Sequence, residues 1–267
     1  MTSLASVNVP PTNHVMVLGG QGWIGLVDQM GTETTVVNAA RVSFGKMRRE
    51  MDERDVQLLR YLLENQHNTP LEHVVFTFLV HCPLFIRSQW HRHRTWSYNE
   101  ISRRYTEVDL QFYLPDTLRA QAASNRQASV QADDTMDQEL CRSLIQQQNA
   151  AALATYEKLL SLGVCREQAR GVLPQNLMTT FWASVDLSNL LKFIELRASE
   201  HAQWEIREYA EAIKTLIKDS IPNIAACYGW EVWQYTKNGP AALNTEHCPS
   251  QAFSTQGAGR FFDVYVI

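Results

Sequence analysis

In the stretch QWHRHRTWSYNEISRRY, Gln89 to Tyr105, charged and aromatic residues alternate at short range. Counted from Arg87, the segment holds five arginines (Arg87, Arg92, Arg94, Arg103, Arg104) and two histidines (His91, His93), interleaved with Trp90, Trp96 and Tyr98. A solvated helix face would instead mix lysine and glutamate and would seldom place large aromatics between its charges. Arginine offers a planar fork that holds a phosphate or a carbonyl edge in two places, so the segment reads as an anion grip. Neighbouring helical residues point about 100° apart, so on a helix Arg92, His93 and Arg94 would reach different ligands or subunits. In an extended run, Ser102 and Arg104 share a side and can converge on one phosphate. Glu100 falls on that side too, where it either accepts from a ribose hydroxyl or pairs with an arginine. The substrate expected from these residues is a nucleotide.

The rest of the composition narrows the class. A chain of 267 residues, 45% hydrophobic, can bury a core without disulfide or metal staples. Apolar runs such as Val74 to Val80 are too short to span a bilayer, and the uncharged start lacks a basic signal-peptide region, so a cytoplasmic protein is expected. Cys82, Cys141, Cys165, Cys227 and Cys248 form no CxxC pair, which argues against a disulfide framework or a zinc site. The formal net charge of -4 argues against a general nucleic-acid coat. Arginine outnumbers lysine 18 to 6, and no lysine falls between Lys46 and Lys158.

Periodicity predicts strands at His14 to Leu18 and Trp23 to Met30, and a helix over Asp52 to Glu64 capped by Asp52. His73 to Val80 and Val108 to Leu114 read as strands, and Pro83 opens a helix leading into the arginine segment. Residues 122–139 read as a surface loop or insertion. Helices follow at Asn149 to Leu162, at Arg166 to Val172 and, almost continuously, from Leu187 to Ile217. The tail from Thr236 is loop-like and closes with FFDVYVI as an edge strand. Strands first and helices later give an α+β fold, a single domain with a mainly antiparallel sheet packed by helices. Gly20, Gly22 and Gly25 match GxGxxG, but Gly31 interrupts the expected helix and TETTVV prefers strand. A glycine-rich turn between two strands is therefore expected, not a Rossmann fingerprint.

Other constellations are HNTPLEH (His67, Thr69, Glu72, His73), Arg170 ahead of Pro174, and LRASEHAQ, where Arg197 and His201 stand four apart on one helix face. Spacing alone leaves alternatives open. A single-strand nucleic-acid module would use the arginines and aromatics as a stacking platform. A metal-dependent hydrolase would use His67, His73 and His93.

Taken together, RHRTWSYNEIS (RHR, seven residues, then Ser102), HNTPLEH, ARGVLP and LRASEHAQWEI resemble the flavin-dependent thymidylate synthase family, over about residues 23–217. The resemblance implies reductive methylation of dUMP to dTMP, with methylenetetrahydrofolate as carbon donor, FAD as cofactor and NADPH as reductant. It also implies no metal, and a homotetramer with active sites at subunit interfaces. By position, Gln89, Arg92, Glu100, Ser102, Arg104, Arg170 and Arg197 match the residues that hold dUMP, with Arg197 as the catalytic charge facing the uracil. Ser43, Thr69, Glu72, Arg92, His93, Arg94, Asn99 and His201 match the FAD contacts, and His67 matches the histidine stacked near flavin and folate. No cysteine nucleophile is required, so His81-Cys82-Pro83 and His247-Cys248-Pro249 are read as coincidental. Asp186 and Lys192 stand where the family commonly has asparagine. The catalytic domain is taken as 1–267, with a tail at 236–267.

Overall fold

The computed structural model describes residues 6–106, 110–123 and 129–230, and the backbone of 235–236 and 239–240. Backbone packing divides the chain into a unit Met1–Val232 and a second unit Trp233–Ile267. In the second, Tyr235–Thr236 pairs antiparallel with Gly239–Pro240. The expected closing strand FFDVYVI and Cys248 lie outside the described residues.

The first unit opens with β1 (His14–Val17) and β2 (Gly22–Met30), joined by a glycine-rich turn as expected. Gly19 and Gly20 take positive φ there, and a side chain on Gly22 would sit 2.2 Å from the Tyr209 hydroxyl. The GxGxxG spacing therefore serves a hairpin and a close packing contact.

TETTVV departs from expectation, because α1 (Glu33–Arg41) is a helix. The Thr32 amide donates to Thr35 Oγ1 at 3.0 Å at its start, and Val36 and Val37 are fully buried. β-Branched residues lose only about 0.5 kcal/mol per residue in a helix. Burying each valine returns about 1.5–3 kcal/mol, so packing outweighs propensity. The next helix, α2 (Glu53–Glu64), begins as read: Asp52 accepts from the amides of Arg54 and Asp55. Asp55 is itself buried, paired with Arg41 and with Arg48 at 3.6 Å. These guanidiniums and the Asp52 amide hold its carboxyl below the usual range against the cost of burial.

HNTPLEH forms a 3-10 turn, Thr69–His73, with Leu71 buried beneath it. It leads into β3 (Val75–Pro83), α3 (Leu84–Trp90) and β4 (Ser97–Glu100). In place of the expected strand over Val108 to Leu114, the described part makes one isolated bridge, Phe112 to Leu177. Around the expected loop 122–139, β5 (Arg119–Gln121) and β6 (Ser129–Gln131) pair as a small antiparallel ladder. The following helix, α4 (Gln138–Ser161), starts eleven residues before Asn149 because Asp137 caps it on the amide of Leu140. α5 (Arg166–Ala169) continues as a 3-10 turn over Arg170–Val172.

β7 (Met178–Asp186) lies between β3 and β4 and was not among the expected strands. The sheet order is β1-β2-β3-β7-β4, antiparallel throughout, in agreement with the α+β reading. Asp186 ends β7 and caps α6 (Leu187–Arg197), accepting from the amide and side chain of Asn189. The helical run then breaks: residues 198–203 turn before α7 (Trp204–Ile217), and α8 (Pro222–Cys227) follows. Arg197 and His201 therefore do not share a helix face. α7 packs across β1 and β2 and beside α6, burying Ile206, Tyr209, Ile213 and Ile217. Among the described residues no helix is long and apolar enough to cross a membrane.

Candidate active site

The arginine segment is held by its aromatics. Trp90 ends α3 fully buried, in contact with Trp96, Phe181, Phe193 and Tyr209. Trp96 is buried just before β4, so residues 91–95 are a turn pinned at both ends. The Tyr98 hydroxyl closes it by donating to the carbonyls of Trp90 and His93. Arg92, His93 and Arg94 diverge as expected, but from this turn and not from a helix. Arg92 and Arg94 are exposed, whereas His93 turns inward against Phe193.

Two groups of expected site residues assemble. In the first, Arg197 at the end of α6 donates Nε to His93 Nε2 at 3.0 Å and a terminal nitrogen to the Gln89 carbonyl at 3.4 Å. Arg92 stands close enough, together with partial burial, to lower the pKa of Arg197. Burial, then Arg197, lowers His93 to about 4, so at neutral pH its ring is uncharged and can accept from Arg197. In the second group, Glu100 Oε1 takes a hydrogen bond from Thr179 Oγ1 at 2.7 Å and an ion pair from Arg87 Nε at 3.2 Å. Beyond it the chain turns, so that the Arg104 amide donates to Ser102 Oγ at 3.3 Å. Ser102 and Arg104 thus lie at a turn and not in the expected extended run. Arg104 also pairs with Glu167 at 3.1 Å, three residues before the exposed Arg170. Among the described residues no hydrogen bond or ion pair joins the two groups.

The remaining expected residues stand on the surface. Ser43 lies in a 3-10 turn beside the exposed Val42, Phe44 and Met47. His67, Thr69 and Glu72 are exposed around the 3-10 turn, with His67 edge-on to Tyr61, and Asn99 is exposed on β4. His201 lies past the end of α6, exposed beside Glu200. Among the described residues, no acceptor engages the guanidinium of Arg92, Arg94 or Arg170. Exposed guanidiniums, hydroxyls and an amide are the donor set that a dinucleotide diphosphate and a nucleotide phosphate require.

Cys82 is buried, and burial raises its thiol pKa, with Glu100 adding to the shift, so it is no ready nucleophile. His67, His73 and His93 do not gather into a metal-holding group among the described residues. Residues missed from the sequence include Thr179, Glu167, Gln203 and Glu205. Gln203 and Glu205 lie inside the quoted LRASEHAQWEI, while Thr179 and Glu167 are partners that only the fold supplies.

The low pKa of His93 gives a signed pH dependence. An unfolded histidine takes up its proton near ~6.5, well above the folded value of about 4. Its contribution to stability is therefore complete above the unfolded value and is lost as pH falls toward the folded one. Thermal melts across this window should show wild type losing stability more steeply than His93→Asn. Equal slopes would contradict the assignment.

Residues 25–223 match the model of the family described as thymidylate synthase complementing protein. The flavin-dependent thymidylate synthase of Thermosipho africanus is 43% identical over 202 residues, covering 76% of this chain and 88% of that protein. That of Thermus thermophilus is 46% identical over 202 residues, covering 76% of this chain and 73% of its own length. Among solved structures, the UMP/dUMP methylase PolB from Streptomyces cacaoi bound with 5-Br dUMP superposes with a TM-score of 0.71 at 31% identity. That likeness covers 82% of this chain and 96% of PolB. With a matching family model over most of its length and relatives at this identity, the chain belongs to the flavin-dependent thymidylate synthase family.

Proposed function

We propose that this chain catalyses reductive methylation of dUMP to dTMP, using FAD, with methylenetetrahydrofolate as carbon donor and NADPH as reductant. The observation that carries the reading is the Arg197–His93–Gln89 cluster, a fixed positive charge held by a neutral histidine and a backbone carbonyl. A charge so placed stabilises negative charge developing on a pyrimidine ring. Ser102, Arg104 and Arg170 take the nucleotide phosphate, Glu100 offers an acceptor, and Gln89 and Arg92 complete the dUMP contacts. Arg104 would exchange Glu167 for the phosphate, a stronger anionic partner.

Ser43, Thr69, Glu72, Arg92, His93, Arg94, Asn99 and His201 are the residues to hold FAD, and their donor chemistry fits it. His67 would stack near flavin and folate. When bound, FAD supplies the carbon and hydride chemistry, while the side chains position the reactants and tune charge. We place the sites between subunits of a homotetramer. The exposed Val42, Phe44 and Met47 beside Ser43 offer apolar surface for such contacts. We take 1–267 as one catalytic domain, working in the cytoplasm. The test is whether purified protein carries flavin absorption and converts dUMP to dTMP.

A further inference from the structure

We propose that Gln203 and Glu205 are positioning residues that fix the amide of Gln89 as a hydrogen-bond acceptor toward the nucleotide; this rests on the dUMP reading above. Gln203 stands at the N-cap position of α7, with Glu205 in the first turn. Its Nε2 donates to Glu205 Oε2 at 2.8 Å, and its Oε1 accepts from Gln89 Nε2.

The polarity of this chain is set at one end. An ionised carboxylate only accepts, so the amide nitrogen of Gln203 must face Glu205 and its oxygen must face Gln89. That oxygen in turn draws the nitrogen of Gln89, leaving the Gln89 oxygen as its free end. A glutamine amide is nearly symmetric in shape, and without such a neighbour it can present either end. Gln203 and Glu205 line a polar cavity of about 300 Å³ between the β5–β6 ladder and the turn joining α6 to α7. Gln89 sits one residue before the buried Trp90, and its backbone carbonyl receives Arg197. The relay and the Arg197 clamp therefore meet on one residue. The matching group on the ligand is a donor, a pyrimidine N–H or a ribose hydroxyl.

An exchange of the two side chains tests polarity separately from packing. Gln203→Glu sets two carboxylates against each other, drives the side chain at 203 off Gln89, and should raise KM for dUMP at least tenfold, with flavin content unchanged. In the double variant Q203E/E205Q, a carboxylate at 203 accepts from both neighbours and leaves Gln89 oriented as before. KM should then return to within about threefold of wild type, a threefold ratio being under 1 kcal/mol. If Q203E does not fold, Gln203→Met, of similar length but without the donor, should show the same rise. A KM within twofold of wild type in the folded single variant, or a double variant as impaired as Q203E, would overturn the relay. Flavin-loaded wild type that fails to bind dUMP would overturn the nucleotide reading and the relay with it. Wild type that binds dUMP with insensitive variants overturns the relay alone.

Discussion

Arg197→Ala is expected to lower dTMP formation by roughly two to three orders of magnitude, the loss seen when one preorganised charge-stabilising donor is removed. The side chain ends α6 partly buried, with two of its donors committed to His93 and Gln89. Those bonds cost it freedom before substrate arrives, so little reorganisation remains when charge develops on the ring. The variant should still fold and take up flavin, because the helix is held by Leu187, Leu190, Phe193 and Ile194 and not by its final residue. Arg197→Lys should recover little, since a point charge cannot bond His93 and the Gln89 carbonyl in the same fork. Turnover within a few-fold of wild type in Arg197→Ala would remove the residue from the chemistry.

Trp90→Ala is expected to destabilise the protein by about 3–5 kcal/mol, the range for deleting a large buried aromatic. Trp90 is fully buried, with ring centroids 4.8 Å from Phe193, 5.6 Å from Phe181 and 5.8 Å from Trp96 and Tyr209. Those four rings come from β7, α6, α7 and the edge of β4, so one cavity would loosen every element that positions the first group of site residues. Among the described residues its indole N–H has no hydrogen-bond partner, so Trp90→Phe should forfeit packing alone and retain most of the stability. Urea or thermal unfolding checks both. A loss below about 1 kcal/mol in Trp90→Ala would mean that this cluster is not the support assigned to it.

The aromatics of the arginine segment show what a sequence conveys and what it withholds. Their presence between charges was legible as a sign that the segment is not a solvated face. That Trp90 and Trp96 face the core, throwing Arg92 and Arg94 outward, depends on β7 and α6 arriving from about ninety residues further along the chain. Strands β1, β2 and β3 and helix α2 were readable because their apolar period and caps are local. α1 was misread for the converse reason, since the β preference of TETTVV is local while the burial of Val36 and Val37 is not. The run Leu187 to Ile217 concealed its break because the turn residues 198–203 contain neither glycine nor proline. Expected site residues come in motifs, whereas the partners Thr179 and Glu167 do not. Pairings across the fold leave no spacing to read.

Turnover is checked by anaerobic NADPH oxidation with the purified, flavin-containing protein. With both dUMP and methylenetetrahydrofolate present, NADPH should be consumed and dTMP should accumulate in proportion, and omitting either substrate should abolish dTMP. Flavin-containing protein that forms no dTMP with both substrates present would rule out this reaction.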